Sequence, residues 1–219
     1  RLWLMVHSGS RHMGKAISKH HARHAVREGG GLYHLDSETD AGRAYLADVG
    51  WATRYADANR RTMVARIAEQ MQLLFRVMPI EDSLIASDHN HVRREEHNGR
   101  ALWVHRKGAM SARDGEPGVI PGTMGTHSFH VVGRGYAESL CSSSHGAGRV
   151  MSRTDARRRI PPRKFAQQLN GVHFDVRLTA RLCEEAPAAY KDIDTVFRAQ
   201  RELTRVVRKL TPVVVYKGV

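Results

Sequence analysis

The most informative stretch of the sequence runs from residue 141 to residue 153 and reads Cys141-Ser142-Ser143-Ser144-His145-Gly146-Ala147-Gly148-Arg149-Val150-Met151-Ser152-Arg153. It contains one histidine followed closely by two glycines and two arginines. Glycine lets backbone N–H groups approach an anion closely, and arginine adds bidentate contacts to phosphate oxygens. A neutral imidazole nitrogen is a competent nucleophile toward phosphorus. The stretch therefore predicts either a loop that holds a phosphate beside a nucleophilic histidine or an ordinary glycine-rich loop beside a surface histidine.

Apolar patterning outside this loop predicts both helices and strands. Apolar residues recur at helical spacing over residues 12–28 and 44–78, where Gly29-Gly30-Gly31 and Pro79 supply stop signals. A further amphipathic stripe extends over residues 193–210. Short apolar runs predict strands at residues 2–6, 84–86, 101–104, 129–132 and 213–216, and turn chemistry occupies residues 114–118. The predicted fold class is therefore α+β.

The composition describes a chain that can bury one substantial core and that favours polyanionic partners. Its 219 residues are 41% hydrophobic, and no apolar run is long enough for a membrane span, so one large domain without a membrane partner is expected. The formal net charge of +13 favours RNA or DNA over an acidic membrane surface. Cys141 and Cys183 are too few for a disulfide framework, and residues 1–6 are too short for a signal peptide. A cytoplasmic location is predicted.

Seven segments spread along the chain resemble, in the same order, those of the RtcB family of RNA ligases. They are His7-Ser8-Gly9-Ser10-Arg11, Asp88-His89-Asn90, Arg106-Lys107-Gly108-Ala109, Pro121-Gly122-Thr123-Met124-Gly125-Thr126 with Ser128, Ser144-His145-Gly146-Ala147-Gly148-Arg149, Ala189-Tyr190-Lys191-Asp192-Ile193-Asp194 and Lys217-Gly218. The similarity extends over essentially all of this chain but matches only the later part of a typical family member. It implies an RtcB-like mixed fold with central β-sheets flanked by helices, in a single catalytic domain over residues 1–219 that is incomplete at its N-terminus.

The start of the chain also points to a fragment. The sequence begins at Arg1, and its first six residues have the composition of the middle of a buried strand. In the RtcB family an upstream region supplies an aspartate and a cysteine metal ligand, together with an Asn-His-Phe segment that contacts metal and nucleotide. None of these is present in this sequence, so we infer that it is a fragment.

Fourteen histidines offer many candidate metal ligands. We favour His7 and His89, because each is expected where a strand passes into a loop, beside small or polar residues that leave an imidazole accessible. The resemblance matches both to manganese-binding histidines of the family. His20 and His24 form a competing i, i+4 pair that could clamp zinc, but their helix lacks a zincin glutamate and is not a catalytic motif of the family. Imidazole with phosphate oxygens suits manganese, although ligand type alone does not exclude zinc.

By resemblance, loops on both sides of the histidine motif bind a guanine nucleotide. The implied nucleotide-binding residues are His89, Asn90, Pro121, Gly122, Thr123, Met124, Ser128, His145, Gly146, Ala147, Gly148, Tyr190 and Lys217. Thr123 replaces a serine of the family and keeps the hydroxyl group. Lys217 matches the lysine that reads the guanine. His127 and His130, beside one of these loops, are expected to face solvent.

The resemblance implies a GTP-dependent RNA ligase that uses Mn²⁺. His145 would attack the α-phosphorus of GTP and become guanylylated, and the guanylate would pass to an RNA 3′-phosphate derived from a 2′,3′-cyclic phosphate. An RNA 5′-hydroxyl would then attack and release GMP, as in tRNA splicing or RNA repair. Arg149 and Arg153 would hold RNA phosphate near the metal. Whether an archease-type activator is required as a partner stays open.

A basic tract over residues 157–164 follows the histidine loop and contains Pro161 and Pro162, so no regular helix can run through it. This tract is either a solvated face or a further RNA contact. Two other functions also stay open. A non-catalytic RNA-binding relative would need only the positive charge, and a metal-dependent phosphoesterase acting on RNA ends could use the same histidines and arginines without a guanine site.

Overall fold

The computed structural model describes residues 1–29 and 31–218, so the predicted stop at Gly30 and the last residue, Val219, lie outside the described part. The chain divides into two compact units, the first spanning Arg1–His105 and the second beginning at Arg106. Each unit contains helices and small antiparallel sheets. The α+β class is therefore confirmed, while central sheets flanked by helices stay a prediction.

A long helix, α2, dominates the first unit. The first helix, α1, spans Met13–His21, and α2 spans Asp40–Phe75. The Thr39 hydroxyl accepts a hydrogen bond from the backbone N–H of Gly42 at 3.1 Å, which caps the start of α2. Arg76 ends the helix in the left-handed conformation, at φ 54°. The helix predicted at residues 44–78 is confirmed, whereas the one predicted at 12–28 already ends at His21.

Two small sheets complete the first unit. Strands β1, Val26–Arg27, and β2, Tyr33–His34, pair in antiparallel fashion. Strands β3, Asn90–His97, and β4, Arg100–Lys107, form a second pair, and β4 continues two residues beyond the first unit. Asn98 and Gly99 connect β3 to β4 with φ angles of 52° and 70°, as a two-residue hairpin turn requires.

Two predicted strands of the first unit are wrong. Residues 2–6 and 84–86 carry no strand, and Leu2 is 71% exposed. A strand is stable only when a neighbour satisfies its backbone N–H and C=O groups. Within the described residues, neither run belongs to a sheet, so apolar composition alone did not make a strand. The strand predicted at 101–104 is confirmed within β4.

The second unit contains two antiparallel sheets. Strand β5, Ala109–Ser111, pairs with β8, Ser142–Ser144. Strand β7, Ser128–Gly133, lies between β6, Pro117–Ile120, and β9, Thr204–Leu210, with a bulge between His130 and Val131 where it pairs with β9. The strand predicted at residues 129–132 is thereby confirmed. His130 is 6% exposed, so the prediction that it faces solvent is wrong, because its strand is the central one of three.

Short helices cover the remainder of the second unit. They are α3, Arg153–Arg159; α4, Pro162–Gln168; α5, Thr179–Leu182; and α6, Ile193–Ala199. The basic tract breaks between α3 and α4 at Ile160-Pro161, as its prolines predict. The stripe over residues 193–210 is split between α6 and β9, and residues 213–216 form an isolated bridge, His173 to Val214, instead of the predicted strand. Single 3-10 turns occupy Glu81–Ser83, Ala137–Ser139, Val176–Leu178, Cys183–Glu185 and Pro187–Ala189.

Two apolar clusters hold the second unit together. The helical cluster packs Met124 with the buried faces of α3, α4 and α5; its members are Met124, Ala156, Ile160, Phe165, Leu169, Leu182, Cys183, Ala186 and Ala189. The sheet cluster packs the inner faces of the strands against the histidine loop; its members are Met110, Ile120, Phe129, Val131, Ala147 and Ile193. Tyr190 packs against both clusters, so residues near it are fixed from two sides.

Candidate functional site

His145 follows directly after β8 in the second unit, and a main-chain group sets its orientation. Its Nδ1 atom lies 2.5 Å from the carbonyl oxygen of Gly108. A carbonyl oxygen can only accept, so Nδ1 carries the proton. In the neutral imidazole the lone pair then resides on Nε2. This is the nitrogen that a phosphorus-directed nucleophile would use.

Gly108 allows this close approach because it has no side chain. Its φ angle is 68°, in the left-handed region that favours glycine. A Cβ atom built there would lie 3.4 Å from Cε1 of His145. The strand before the histidine is also fixed, because Gln200 Oε1 accepts a hydrogen bond from the backbone N–H of Ser144 at 3.2 Å.

The glycine loop after His145 is tied to the segment around Tyr190. The carbonyl of Gly148 accepts a hydrogen bond from the backbone N–H of Lys191 at 2.9 Å, and Arg149 forms a bridge to Tyr190. Ala147 is buried in the sheet cluster, which anchors the middle of the loop. Gly148 has a φ of 76°, a conformation that other residues rarely adopt. The loop therefore has a defined path beside the histidine.

The loop over residues 121–128 is held by its own hydroxyl groups. The Ser128 hydroxyl accepts a hydrogen bond from the backbone N–H of Gly122 at 3.0 Å, and the backbone N–H of Thr123 donates to the Thr126 hydroxyl at 2.8 Å. Gly122 is required for space, since a Cβ there would lie 2.0 Å from the His127 carbonyl oxygen. Pro121 contacts the histidine loop, because its carbonyl oxygen would lie 3.4 Å from a Cβ on Gly146. Met124 as a whole is 2% exposed and packs in the helical cluster, which anchors this loop.

Tyr190 lies at the centre of a polar cluster in the second unit. Its hydroxyl accepts a hydrogen bond from Arg149 Nη1 and donates one to Glu185 Oε2, each at 2.8 Å. Lys217 Nζ lies 3.6 Å from the same carboxylate oxygen. Burial and the hydrogen bond to Glu185 raise the pKa of Tyr190 to about 12, so its hydroxyl stays protonated. The two residues predicted to contact the base thus share one carboxylate.

The two arginines predicted to hold RNA phosphate differ in their surroundings. Besides its bond to Tyr190, Arg149 donates from Nε to the Met151 carbonyl at 3.0 Å and from Nη2 to the Glu184 carbonyl at 2.7 Å. Each nitrogen of the guanidinium group thus makes one hydrogen bond, and Nη1 and Nη2 each carry a second N–H that these three bonds do not use. Arg153, at the start of α3, has a side chain that is 70% exposed. Arg153 is thus better placed to meet an external anion.

His7 and His89 approach each other within the first unit. Their Nε2 atoms are 3.0 Å apart and their rings meet edge to face. Asn90 Nδ2 lies 3.0 Å from His89 Nδ1, which fixes that ring through its other nitrogen. Two nitrogens that each lie about 2.1 Å from one ion are about 3 Å apart when they bind at right angles. The pair therefore fits two adjacent positions around a divalent cation.

One arginine of α2 braces both metal candidates. Arg60 donates from Nη1 to the Ser8 carbonyl at 3.2 Å and from Nη2 to Asp88 Oδ1 at 2.6 Å. Ser8 follows His7, and Asp88 precedes His89. The neighbouring Asn59 also donates to the Gly9 carbonyl, at 3.3 Å. Both histidine loops are thus attached to one turn of α2.

The competing pair of histidines, His20 and His24, is exposed, and His24 lies beyond the end of α1, whereas the neighbouring His21 packs against α2. His21 Nε2 bonds Asp48 Oδ2 of α2 at 2.8 Å, and the His21 ring is 4% exposed. The ring centres of His20 and His24 are 5.7 Å apart, with the planes tilted by 59°. Across residues 1–29 and 31–218, no three histidine, cysteine, aspartate or glutamate side chains gather as a metal-binding group. The His7 and His89 pair would therefore need additional ligands.

Several positioning residues were not predicted from the sequence as site residues. Gly108 and Arg106 lie in a segment that carried the family resemblance, but no role was inferred for them. Arg106 is 2% exposed, and it donates from Nε to the Ser142 hydroxyl and from Nη2 to the Leu140 carbonyl, each at 2.8 Å. Arg60 and Glu185 carried no signal, because a charged side chain in a helix or turn is usually a solvated one.

Among the helices that the structure describes, none has both the length and the apolar character needed to cross a bilayer.

Comparison with known proteins identifies the relatives of the chain. The family described as tRNA-splicing ligase RtcB matches residues 1–218. The RNA-splicing ligase RtcB of Escherichia coli K12 is 38% identical over 233 residues, which cover 100% of this chain and 56% of that protein.

Two further relatives come from other lineages. The tRNA-splicing ligase RtcB of Pyrococcus furiosus is 33% identical over 98% of this chain and 26% of its own length, and the RNA-splicing ligase RtcB of Mycobacterium tuberculosis is 34% identical over 98% of this chain and 56% of its own length. The chain thus spans about half the length of the bacterial relatives. Since the match covers both compact units and the segments that carry His7, His89 and His145, the chain belongs to the tRNA-splicing ligase RtcB family.

Proposed function

We propose that this chain is the nucleotide-binding and nucleophile-bearing part of a GTP-dependent RNA ligase, acting as a single catalytic domain with cytoplasmic RNA as its substrate. The observation that carries the proposal is the hydrogen bond from His145 Nδ1 to the Gly108 carbonyl. It supports a tautomer in which Nδ1 carries the proton, so that Nε2 is the nitrogen proposed to attack phosphorus. The family membership supports the ligase class.

In the proposed first step, His145 Nε2 attacks the α-phosphorus of GTP. A nitrogen–phosphorus bond forms, the bond from the α-phosphorus to the bridging oxygen breaks, and pyrophosphate leaves with the electron pair. Nδ1 keeps its proton and continues to donate it in the hydrogen bond to the Gly108 carbonyl. This hydrogen bond stabilises the positive charge that develops on the ring. Backbone N–H groups of Gly146, Ala147 and Gly148 are the proposed contacts to the guanylate phosphate.

The guanine and its ribose would contact the loops already described. The proposed contacts are His89, Asn90, Pro121, Gly122, Thr123, Met124, Ser128, Tyr190 and Lys217. The guanylate then passes to an RNA 3′-phosphate, itself derived from a 2′,3′-cyclic phosphate. An RNA 5′-hydroxyl attacks this activated phosphate and releases GMP, which completes strand joining in tRNA splicing or RNA repair. Arg153 and Arg149 would hold the RNA phosphate.

His7 and His89 are the proposed Mn²⁺ ligands of this chain. Their nitrogen spacing and the Asn90 contact to His89 support the assignment. A bound divalent cation would supply charge neutralisation at the phosphates during transfer. Two imidazoles leave positions for phosphate oxygens, water and further protein ligands. An archease-type activator remains a proposed partner of the complete protein.

The test is covalent labelling of the full-length protein. Wild type and His145→Ala would be incubated with α-labelled GTP and Mn²⁺, and acid-labile, protein-bound label would be measured. We expect label in the wild type and none in the variant, because His145 is the proposed site of the nitrogen–phosphorus bond. His127→Ala, a histidine of the neighbouring loop, should label like the wild type.

Two other outcomes would redirect the assignment. If a wild type with its metal bound takes up no label but still binds RNA, the non-catalytic RNA-binding relative is favoured. If instead it releases phosphate from RNA ends without GTP, a metal-dependent phosphoesterase is favoured. Neither alternative explains the hydroxyl-bearing loop over residues 121–128 together with Lys217.

A further inference from the structure

Glu185 brings together four side chains that the proposed reaction uses. Its Oε2 atom accepts the hydrogen bond from Tyr190 at 2.8 Å and lies 3.6 Å from Lys217 Nζ. Its Oε1 atom lies 3.9 Å from Arg149 Nη1 and 4.0 Å from Arg153 Nε. One carboxylate thus faces both residues assigned to the guanine and both arginines assigned to RNA phosphate.

The surroundings of Glu185 keep it ionised and in place. Its side chain is 15% exposed. Burial alone would raise the pKa of Glu185, but the Tyr190 hydrogen bond and the charges of Lys217, Arg149 and Arg153 together lower it. A buried, ionised carboxylate with a charge-assisted hydrogen bond holds its donors more firmly than a neutral acceptor would. Tyr190 and Lys217 therefore have a shared anchor.

The neighbouring Glu184 has different partners. Its Oε2 atom lies 2.5 Å from Arg157 Nη2, and its Oε1 atom lies 3.9 Å from Arg153 Nε. Both arginines are more than half exposed. Only the backbone carbonyl of Glu184, which accepts from Arg149, joins the Tyr190 cluster. The two adjacent carboxylates are therefore a natural matched pair for an experiment.

We propose that Glu185 is a positioning residue for guanine recognition, acting through the Tyr190 hydroxyl and the Lys217 ammonium group. This proposal rests on the proposed function, because it takes Tyr190 and Lys217 as the guanine contacts. Loss of the Glu185 charge removes the ion pair with Lys217 and weakens the hydrogen bond from Tyr190, and Lys217 can then reorient away from the base. The expected consequence is weaker binding of guanine nucleotides and a smaller preference over adenine nucleotides.

The test measures GMP and AMP binding by calorimetry in the full-length protein that carries His145→Ala, so that no covalent step occurs. In this background, Glu185→Gln should weaken GMP binding by about tenfold, since a charge-assisted bond and an ion pair are lost. AMP binding should change less, so the ratio of the AMP to the GMP dissociation constant falls. Glu184→Gln should keep GMP affinity within about twofold, because its side chain contacts Arg153 and Arg157 and neither residue assigned to the guanine.

A second variant keeps the test independent of folding effects. Tyr190→Phe removes only the hydroxyl group that joins Glu185 to the ring, and it should also weaken GMP binding. The double variant should lose less affinity than the product of the two single losses, because both changes break the same contact. If Glu185→Gln shows no cooperative unfolding transition, it is misfolded and its GMP affinity cannot be used. Tyr190→Phe is then the test, and an unchanged GMP affinity in that variant would overturn the proposal.

The outcomes separate this proposal from the proposed function. A wild type that becomes labelled from GTP, together with Glu185→Gln that binds GMP and AMP as its parent does, would contradict the positioning role alone. Equal losses in Glu184→Gln and Glu185→Gln would also contradict it, because general charge would then explain the effect. A parent that binds no GMP, beside a wild type that takes up no label, would overturn both the proposed function and this inference.

Discussion

Arg60 shows how one side chain can orient two proposed metal ligands, His7 and His89, through the residues next to them. Its guanidinium group bonds the Ser8 carbonyl and the Asp88 carboxylate, and each of these residues adjoins one of the paired histidines. Its side chain is 16% exposed and lies on a helix that provides a rigid base. Outer contacts of this kind orient metal ligands before the metal arrives.

Substitution of Arg60 is therefore expected to weaken metal binding in the full-length protein. Arg60→Lys keeps the positive charge but loses the planar fork that reaches two acceptors. We expect the dissociation constant for Mn²⁺ to rise about tenfold or more, as measured from the electron paramagnetic resonance signal of free Mn²⁺. Arg61→Lys is the matched control, because Arg61 bonds Asp57 on the exposed side of the helix. Equal affinities in the two variants would contradict the bracing role.

At this scale the sequence singled out the candidate site residues but not the residues that support them. His7, His89 and His145 stood out because they lie within short motifs of small and polar residues. Arg60 and Glu185 did not, since their partners are far away in the chain: Arg60 bonds Ser8, and Glu185 contacts Lys217. Contacts between distant residues depend on the tertiary fold, which local pattern does not specify.

Among the elements, β7 contains a buried histidine, His130, next to a positive charge on the neighbouring strand. His130 lies in the middle of this central strand and pairs in register with Arg208 of β9. Burial, and next to it the positive charge of Arg208, lower the pKa of His130 below its ordinary value. The unfolded chain therefore binds a proton at a higher pH than the folded strand does. Acidification favours the unfolded state at this position.

The stability contributed by neutral His130 should be complete above pH 6.5 and decrease as the pH falls below that value. We expect the wild type to lose stability from this group between pH 7.5 and pH 5.5, seen as a lower Tm at the lower pH. His130→Asn should lose less over the same interval. Thermal unfolding followed by circular dichroism measures this, and His127→Asn should behave like the wild type. The same pH dependence in all three proteins would contradict the assignment.

Helices and strands could be predicted where apolar periodicity and stop residues agreed. They could not be predicted where the pairing of a strand with a distant neighbour determined the structure. The long apolar periodicity and Pro79 correctly indicated α2, and the prolines at 161 and 162 correctly indicated the break between α3 and α4. The stripe over residues 193–210 misled because helical spacing continued into β9. Strand β9 forms there because β7 offers a neighbour, whereas residues 2–6 belong to none of the sheets in the described part of the chain.

For the whole molecule, the excess of positive charge is the dominant property. The formal net charge is +13. In the basic tract, Arg157 and Arg158 pair with Glu184 and Asp155. Arg159, Arg163 and Lys164 are exposed beside them. Such a group can contribute to RNA affinity through the release of counterions from phosphates.

Neutralising these three residues together as Arg159→Gln, Arg163→Gln and Lys164→Gln should reduce the salt dependence of RNA binding. If all three contact phosphates of single-stranded RNA, the slope of log K against log salt concentration becomes shallower by about 2. Fluorescence anisotropy across a potassium chloride series measures this in the full-length protein. A matched variant with Lys15, Lys19 and Arg23 changed to Gln, in and just after α1, controls for the loss of overall charge. Equal slopes in the two triple variants would show that the tract is only a solvated face.

The bond between His145 and the Gly108 carbonyl has a consequence for how the protein tolerates mutation. The group that chooses which ring nitrogen carries the proton belongs to the main chain, and no point substitution can delete it. Side-chain changes can disturb it only by altering the path of the backbone, and the left-handed φ of 68° at Gly108 is where that path is most sensitive. The setting on which nucleophilicity depends is therefore inherited with the fold, and a survey of side-chain substitutions would reveal it only through a single intolerant glycine.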